Sequence, residues 1–160
     1  MSESEIRPAA IAPVFPRLRL GGGPGADPSA VARAEAALKS LSANFETWMA
    51  DELAKIEAAR ARISAEGLTA ETGEGLYMRA HDLKGLGATY EYPIVTRLAG
   101  SLCELIHDPA SRAKAPMALV DSHLAAIKRA VADKIRTDDH PWARATSEDL
   151  EARVAEVRGG

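Results

Sequence analysis

The sequence has one cysteine, few aromatic residues and only a small excess of negative charge. Cys103 alone can form neither an internal disulfide nor a cysteine zinc knuckle, which fits a reducing compartment. The formal net charge is −3 and both signs are interspersed, so nothing indicates a field that attracts nucleic acid or an anionic membrane. The N-terminus lacks the pattern of a signal peptide, and no apolar run reaches membrane length. The sequence therefore predicts a cytoplasmic protein that binds neither nucleic acid nor membrane.

Length and hydrophobic periodicity predict one all-α domain. A chain of 160 residues is long enough for a single core and short for two. No segment alternates convincingly with the period of two that a strand requires. We expect an antiparallel four-helix bundle with an additional terminal helix and an irregular N-terminal tail. The predicted organisation is a Pro/Gly-rich tail over 1–26, a helical bundle over 27–137, and a C-terminal loop and helix over 138–160.

Proline and glycine separate the predicted tail from the first helix. Four prolines and four glycines fall within residues 1–26, a density that prevents regular helix. Asp27 and Pro28 then predict a helix start, as cap and first helical residue. A mostly apolar stripe follows as far as Gly67, on one long helix or two in tandem, and we expect it to be buried. Its members are Val31, Ala34, Leu38, Leu41, Phe45, Trp48, Glu52, Ile56, Ala59 and Ile63.

Cap residues and helical periodicity predict four more helices. A short loop is expected after Asp108-Pro109, and an interruption of the helical structure is expected at His140-Pro141. The predicted helices run from about Gly73 to about Tyr90 after a Thr69 or Thr72 cap, from Pro93 to His107, from Pro116 to about residues 137–139, and from a Thr146 or Ser147 cap to Gly159-Gly160.

The run His81-Asp82-Leu83-Lys84-Gly85-Leu86-Gly87-Ala88 lies in the second predicted helix. Offsets of three and four residues place His81, Lys84 and Gly85 on one helical face. Glycine in a helix interior costs about 1 kcal/mol relative to alanine, so Gly85 and Gly87 need a reason to be there. Gly85, one turn from His81, is expected to clear space beside the imidazole for a partner's active site.

The chemistry of these residue types favours a histidine that carries a phosphoryl group. A neutral imidazole is a good nucleophile at pH 7, because its unperturbed pKa is about 6.5. Its phosphorus adduct is labile, so the group can be handed on. The charge of Lys84 is worth about 1 kcal/mol at about 4 Å in water, and about 4 kcal/mol at an effective dielectric constant of about 20. Docking of a partner would therefore raise the contribution of Lys84.

With the small residues that follow, His81-x-x-Lys84-Gly85 resembles the signature of histidine-containing phosphotransfer (HPt) domains, which are four-helix bundles. The resemblance extends over about residues 28–136 in helical layout, and the specific motif spans 81–88. It implies that His81 is the phosphoacceptor, that Lys84 stabilises the phosphate and that Gly85 provides steric clearance. The residues it places at the partner's docking surface are Leu83, Gly87 and Ala88.

The function that the resemblance implies is a relay in bacterial two-component signalling. His81 would accept a phosphoryl group from a receiver aspartate of a response regulator, or from a hybrid histidine kinase, and pass it to another receiver. The chain is expected to act as a monomer. It would lack autokinase activity, because no nucleotide-binding motif such as a P-loop occurs. It would need no cofactor of its own, since the partner receiver supplies Mg²⁺.

The chain departs from the family pattern at two positions. Glu91 stands ten residues after the histidine, where the family commonly has glycine. Cys103 lies near the place of a glutamine that often supports the imidazole from the following helix. Because Cys103 falls inside an apolar helix, we expect it to be inert and buried.

Other side chains are predicted to be structural. His123 lies near an apolar stripe and is expected to be a packing histidine with satisfied hydrogen bonds. Tyr90 and Tyr92 are expected to anchor the turn after the histidine helix. The side chains assigned to the core are Phe45, Trp48 and Met49.

Two other functions remain open on the sequence alone. A degenerate HPt-like adaptor would bind kinases or receivers and inhibit them without being phosphorylated. A metal phosphohydrolase of the HD type would leave Lys84-Gly85 unexplained, and adjacent helical residues point about 100° apart. Its ligands would be the doublets His81-Asp82 and His107-Asp108, with Asp121 and His123.

Overall fold

The computed structural model describes residues 27–159, which form helices joined by turns. Every regular element in that range is an α-helix, which confirms the all-α prediction for it. The predicted N-terminal tail lies outside the described residues. Within them, no helix is both long and apolar enough to cross a membrane. The helices are α1 (Pro28–Glu66), α2 (Ala70–Gly87), α3 (Pro93–Leu105), α4 (Pro109–Lys114), α5 (Met117–Ala132) and α6 (Pro141–Gly159).

The chain divides into two compact units, and the boundary lies within α1, between Phe45 and Glu46. The described part of the first unit is one stretch of this helix. There Val31 and Leu38 are 45 % and 44 % exposed, so the prediction that the whole stripe is buried is wrong. The physical reason is that a single helix cannot bury its own apolar face. Further along α1 the stripe is buried at Phe45, Glu52, Ile56 and Ile63.

Helix α3 forms the centre of the second unit. It packs against α2, α5 and α6, while α5 also packs against α6 and α2 against α4. Residues 138–159 therefore belong to the same unit as the preceding helices. The fully buried apolar side chains of α3 recur at helical spacing and include Ile94, Val95, Leu98, Leu102 and Leu105.

Two helix starts differ from the prediction. The loop expected after Asp108 is instead the short helix α4, because the Asp108 carboxylate accepts a hydrogen bond from the Ser111 N–H at 2.7 Å and Pro109 occupies the first turn. Helix α6 begins at Pro141, so the predicted interruption at His140-Pro141 and the predicted cap at Thr146 or Ser147 are both wrong. Proline is tolerated at a first helical position, where its missing N–H leaves no bond unmade.

The turn between α2 and α3 is held by two buried tyrosines, as predicted. The Tyr90 ring lies 5.6 Å from the Trp48 ring, centroid to centroid. The Tyr92 hydroxyl donates to the Glu46 carboxylate at 3.0 Å, and the Arg136 guanidinium lies 4.5 Å from the Tyr92 ring centroid. Burial, followed by the bond to Glu46, raises the pKa of Tyr92 to about 12. The C-terminal end of the motif helix is thus fixed against its surroundings.

Replacing Glu91 by glycine is expected to raise the free energy of unfolding by about 1 kcal/mol. Glu91 has a φ of 69°, a left-handed conformation that glycine adopts without the Cβ penalty. The bond from Arg136 Nη1 at 3.0 Å goes to the Glu91 carbonyl, so the backbone keeps it. Urea unfolding measures the change.

The matched control is Glu148→Gly, at an exposed position inside α6. This substitution should lower the free energy of unfolding by about 1 kcal/mol, the ordinary cost of glycine in a helix. Destabilisation at both positions would show that the left-handed backbone of Glu91 is not strained.

Candidate functional site

The exposed side of α2 carries the predicted motif. Thr69 caps the helix: its hydroxyl accepts from the Thr72 N–H at 3.0 Å, and the Thr72 hydroxyl accepts from the Thr69 N–H at 2.8 Å. The rotation of α2 is set by its buried residues, which recur every three or four positions and include Leu76, Ala80, Leu83 and Gly87. On the opposite side, an exposed stripe contains Met78, His81 and Gly85, and it continues at Ala88, the C-cap residue.

His81 and Lys84 are both exposed and are available for chemistry. Within residues 27–159, neither side chain makes an ion pair or a side-chain hydrogen bond. The methylenes of Lys84 lie along α3, where a Cβ on Gly100 would be 3.9 Å from Lys84 Cδ and Cε. The neighbouring charge of Asp82 is directed to Arg79, at 3.6 Å. The histidine face therefore offers a nucleophile and a cation, and no carboxylate among the described residues is bound to either.

Packing requires glycine at only one of the two motif positions, 85 and 87. A Cβ on Gly87 would lie 2.5 Å from Thr96 Oγ1 and 2.7 Å from the Thr96 backbone nitrogen. Thr96 is there because its hydroxyl donates to the Lys84 carbonyl and accepts from the Ala88 N–H, both at 2.9 Å. A Cβ on Gly85, by contrast, would meet nothing within 4 Å. Packing explains Gly87, whereas no contact inside the described chain explains Gly85.

Alanine substitutions at Gly85 and Gly87 should change the free energy of unfolding in opposite directions. Gly85→Ala is expected to raise the free energy of unfolding by about 1 kcal/mol, since helix propensity improves and nothing is crowded. Gly87→Ala is expected to lower it by about 2 kcal/mol, because the new methyl forces α2 away from Thr96. Chemical denaturation of the two variants side by side measures both changes. Equal effects would contradict the assignment.

Two of the three predicted docking residues are inaccessible. Leu83 is 0 % exposed and Gly87 is buried against α3, so a partner reaches neither of them in this structure. Only Ala88 is exposed. The sequence reasoning missed Met78, which is 46 % exposed and lies one turn before His81. The signal was present, because position 78 lies off the buried stripe of α2.

Cys103 is buried, as predicted. Burial raises the pKa of its thiol to about 11, against a smaller opposing effect of Lys84. The thiol is therefore neutral at pH 7 and a weak hydrogen-bond donor.

The remaining residues predicted for an HD-type site, apart from the motif helix, have structural partners. His123 is fully buried: its Nδ1–H donates to the Leu119 carbonyl at 2.8 Å, and its Nε2 accepts from the Ser101 hydroxyl at 2.9 Å. Burial lowers the pKa of His123, which confirms a neutral packing histidine. Asp108 caps α4, and Asp121 accepts from Arg60 at 2.7 Å.

No arrangement for a resident metal is found in the described range. Across residues 27–159, no group of three or more His, Cys, Asp or Glu side chains is placed to hold an ion. The doublet His107-Asp108 forms a pair at 2.8 Å at the surface. In this range the residues proposed for an HD-type site are thus spread over separate structural roles.

Comparison with known proteins adds no family assignment. No family model, no curated protein and no solved structure matches this chain. The functional reading therefore depends on the site geometry and on the motif.

Proposed function

We propose that this chain is a histidine phosphotransfer protein that relays a phosphoryl group through His81. The observation that carries the proposal is Gly85: an exposed helical glycine, beside an exposed and unpaired histidine, with no packing reason inside the described chain. Such a glycine costs about 1 kcal/mol. The absence of a side chain at position 85 would leave space for a partner's active site to dock, which explains why a destabilising glycine is present.

The proposal includes an antiparallel four-helix bundle as the scaffold. Its helices would be the part of α1 from Glu46 onward, α2, α3 and α5. Support comes from the packing of α3 on α2 and α5, and from two side-chain pairs that join α1 to α5. These pairs are Glu57 with Lys128 at 2.8 Å and Arg60 with Asp121 at 2.7 Å. Helix α6 would be the additional terminal helix.

The transfer step requires little of the protein beyond a placed nucleophile. The lone pair of the unprotonated ring nitrogen of His81 forms an N–P bond as the P–O bond to the donor aspartate breaks. The aspartate leaves as a carboxylate, and the second ring nitrogen keeps its proton. Total charge is conserved. Positioning and charge neutralisation dominate such a reaction, and Lys84 on the same face supplies one positive charge.

The proposed partners are receiver domains of response regulators and a hybrid histidine kinase in the cytoplasm. The receiver would bring its own Mg²⁺ beside its aspartate. Met78 and Ala88 flank His81 along the exposed stripe of α2 and offer small apolar contacts to the docked domain. Exclusion of water by docking would strengthen the interaction of Lys84 with the phosphoryl oxygens.

A transfer assay tests the proposal. Receivers carrying a ³²P-labelled aspartyl phosphate are mixed with this chain, and the label is followed to the chain and then to a second receiver. We expect acid-labile, alkali-stable label on the chain, as a phosphoramidate bond requires. Binding of receivers or kinases without label would instead support the adaptor. Metal-dependent release of inorganic phosphate with turnover would support the phosphohydrolase.

A further inference from the structure

The imidazole of His81 has an aromatic neighbour on the same helix that can restrict its orientation. The Tyr77 ring, one turn earlier on α2, lies 6.1 Å from the His81 ring between centroids, with the planes at 42°. This separation is within the range of aromatic ring pairs. His81 makes no side-chain hydrogen bond in the described range, and the thiol of Cys103 is a weak donor. The tyrosine ring therefore offers a contact that can support the imidazole.

Tyr77 is itself fixed by an arginine from another helix. The Arg112 guanidinium of α4 lies 5.4 Å from the Tyr77 ring centroid, a cation–π distance. Tyr77 is half-buried, and its hydroxyl has no hydrogen-bond partner in the described range. The ring, and not the hydroxyl, thus makes both contacts.

Arg112 has an unusually constrained setting for a charged residue. Its side chain is 8 % exposed. Its Nε donates to the Ile106 carbonyl at 2.8 Å, and its Nη2 donates to the His107 carbonyl at 3.3 Å. The Arg112 side chain can pack closely against α2 because residue 73 is glycine. A Cβ at Gly73 would lie 2.9 Å from Arg112 Cδ. Gly73, the two carbonyls and Glu74 Oε1, which lies 3.5 Å from Nη2, together restrict the position of the Arg112 side chain.

We propose that Tyr77 holds the imidazole of His81 in one orientation, and that Arg112 holds Tyr77. Both are positioning residues, since neither contacts the phosphoryl group. The inference rests on the proposed function and deepens it. In-line attack requires the ring nitrogen to point at phosphorus, and a docked receiver presents its phosphoryl group from one fixed direction. A ring that turns freely meets that direction only part of the time.

Side-chain NMR tests the orientation without any phosphoryl transfer. Three-bond couplings about χ1 of His81 should report one dominant rotamer in the wild type and in Tyr77→Phe, which keeps the ring. Averaged couplings are expected in Tyr77→Ala, with resonances elsewhere unchanged. Arg112→Lys, which lacks the planar fork, should show partial averaging. Averaged couplings in the wild type, or unchanged couplings in Tyr77→Ala, would overturn the proposal.

Transfer kinetics with two phosphoryl donors test whether a fixed imidazole orientation speeds transfer from a docked receiver. From a phosphorylated receiver, Tyr77→Ala should accept the phosphoryl group about tenfold more slowly than the wild type, and Tyr77→Phe within about twofold. Phosphoramidate, whose P–N bond breaks to release ammonia as the His81 N–P bond forms, can approach from any direction. Its labelling rate should therefore stay within about twofold in every variant. Equal slowing with both donors would contradict positioning.

A remote arginine–aromatic pair supplies the matched control. Arg129 lies 4.2 Å from the Trp142 ring centroid, and Trp142→Ala removes that pair from a different part of the same unit. Its effect on the His81 couplings and on both labelling rates should be negligible. If no receiver labels the wild type, the proposed function fails, whereas the NMR result still decides whether Tyr77 orients His81.

Discussion

His81→Gln is expected to remove all receiver-derived label from the chain. Glutamine is of similar size but has no nucleophilic ring nitrogen, so no N–P bond can form. The fold should be unaffected, because the His81 side chain is exposed and makes no side-chain hydrogen bond in the described range. Autoradiography after incubation with a labelled receiver measures the loss, and thermal unfolding checks stability.

The chain provides matched controls for this substitution. His107 and His140 are exposed histidines outside the motif, and His107→Gln and His140→Gln should keep wild-type labelling. Residual label in His81→Gln that disappears in one of these variants would assign the phosphoacceptor elsewhere. Retained receiver binding by unlabelled His81→Gln would separate the loss of chemistry from the loss of docking.

Most helices could be predicted because each carries its own signal. Periodic apolar residues and cap residues gave α2 and α3 to within a few positions. The prediction is wrong where proline follows a capping residue: Asp108-Pro109 and His140-Pro141 predict interruptions, but both prolines occupy first turns of helices. The exposure of Val31 and Leu38 was not predictable, since burial of a stripe depends on what lies against it.

The site shows the same division between local and long-range information. Residues three and four apart on one helix must share a face, so the placement of His81, Lys84 and Gly85 followed from spacing. The role of Gly87 did not, because it depends on Thr96 of the next helix. Likewise, Tyr77 and Arg112 are 35 residues apart, and only the packing of α4 against α2 brings them together.

The sequence departs from the HPt pattern at Glu91 and Cys103, and the two departures have different structural consequences. Glu91 occupies a left-handed position, where glycine would relieve strain, so this departure concerns stability and lies in the turn after α2. Under the proposed function Cys103 concerns the site: it lies near the expected place of a supporting glutamine, and a buried neutral thiol is only a weak hydrogen-bond donor. The contact with Tyr77 would then compensate for the missing hydrogen bond.

Gly85→Gln is expected to slow transfer from a phosphorylated receiver by about a hundredfold, equivalent to about 2.7 kcal/mol in the activation barrier. The side chain at position 85 lies one turn from His81 and only about 40° round the helix, so it projects into the path of the docking domain. The fold tolerates it, since a Cβ there meets nothing within 4 Å. Rapid-quench measurement of label on His81 gives the rate.

Gly75→Gln distinguishes steric blocking of the partner from a general effect of removing a helical glycine. Gly75 lies on the same helix and also has open space around a Cβ, but it is about 120° round the helix from His81. Both substitutions should improve helix propensity by a similar amount, and only Gly85→Gln should slow the receiver reaction. Phosphoramidate is small enough to pass the new side chain, so it should label both variants at near wild-type rates. If Gly85→Gln accepted the phosphoryl group from a receiver as fast as Gly75→Gln, the glycine would have no role in docking, and the observation that carries the phosphotransfer proposal would lose its force.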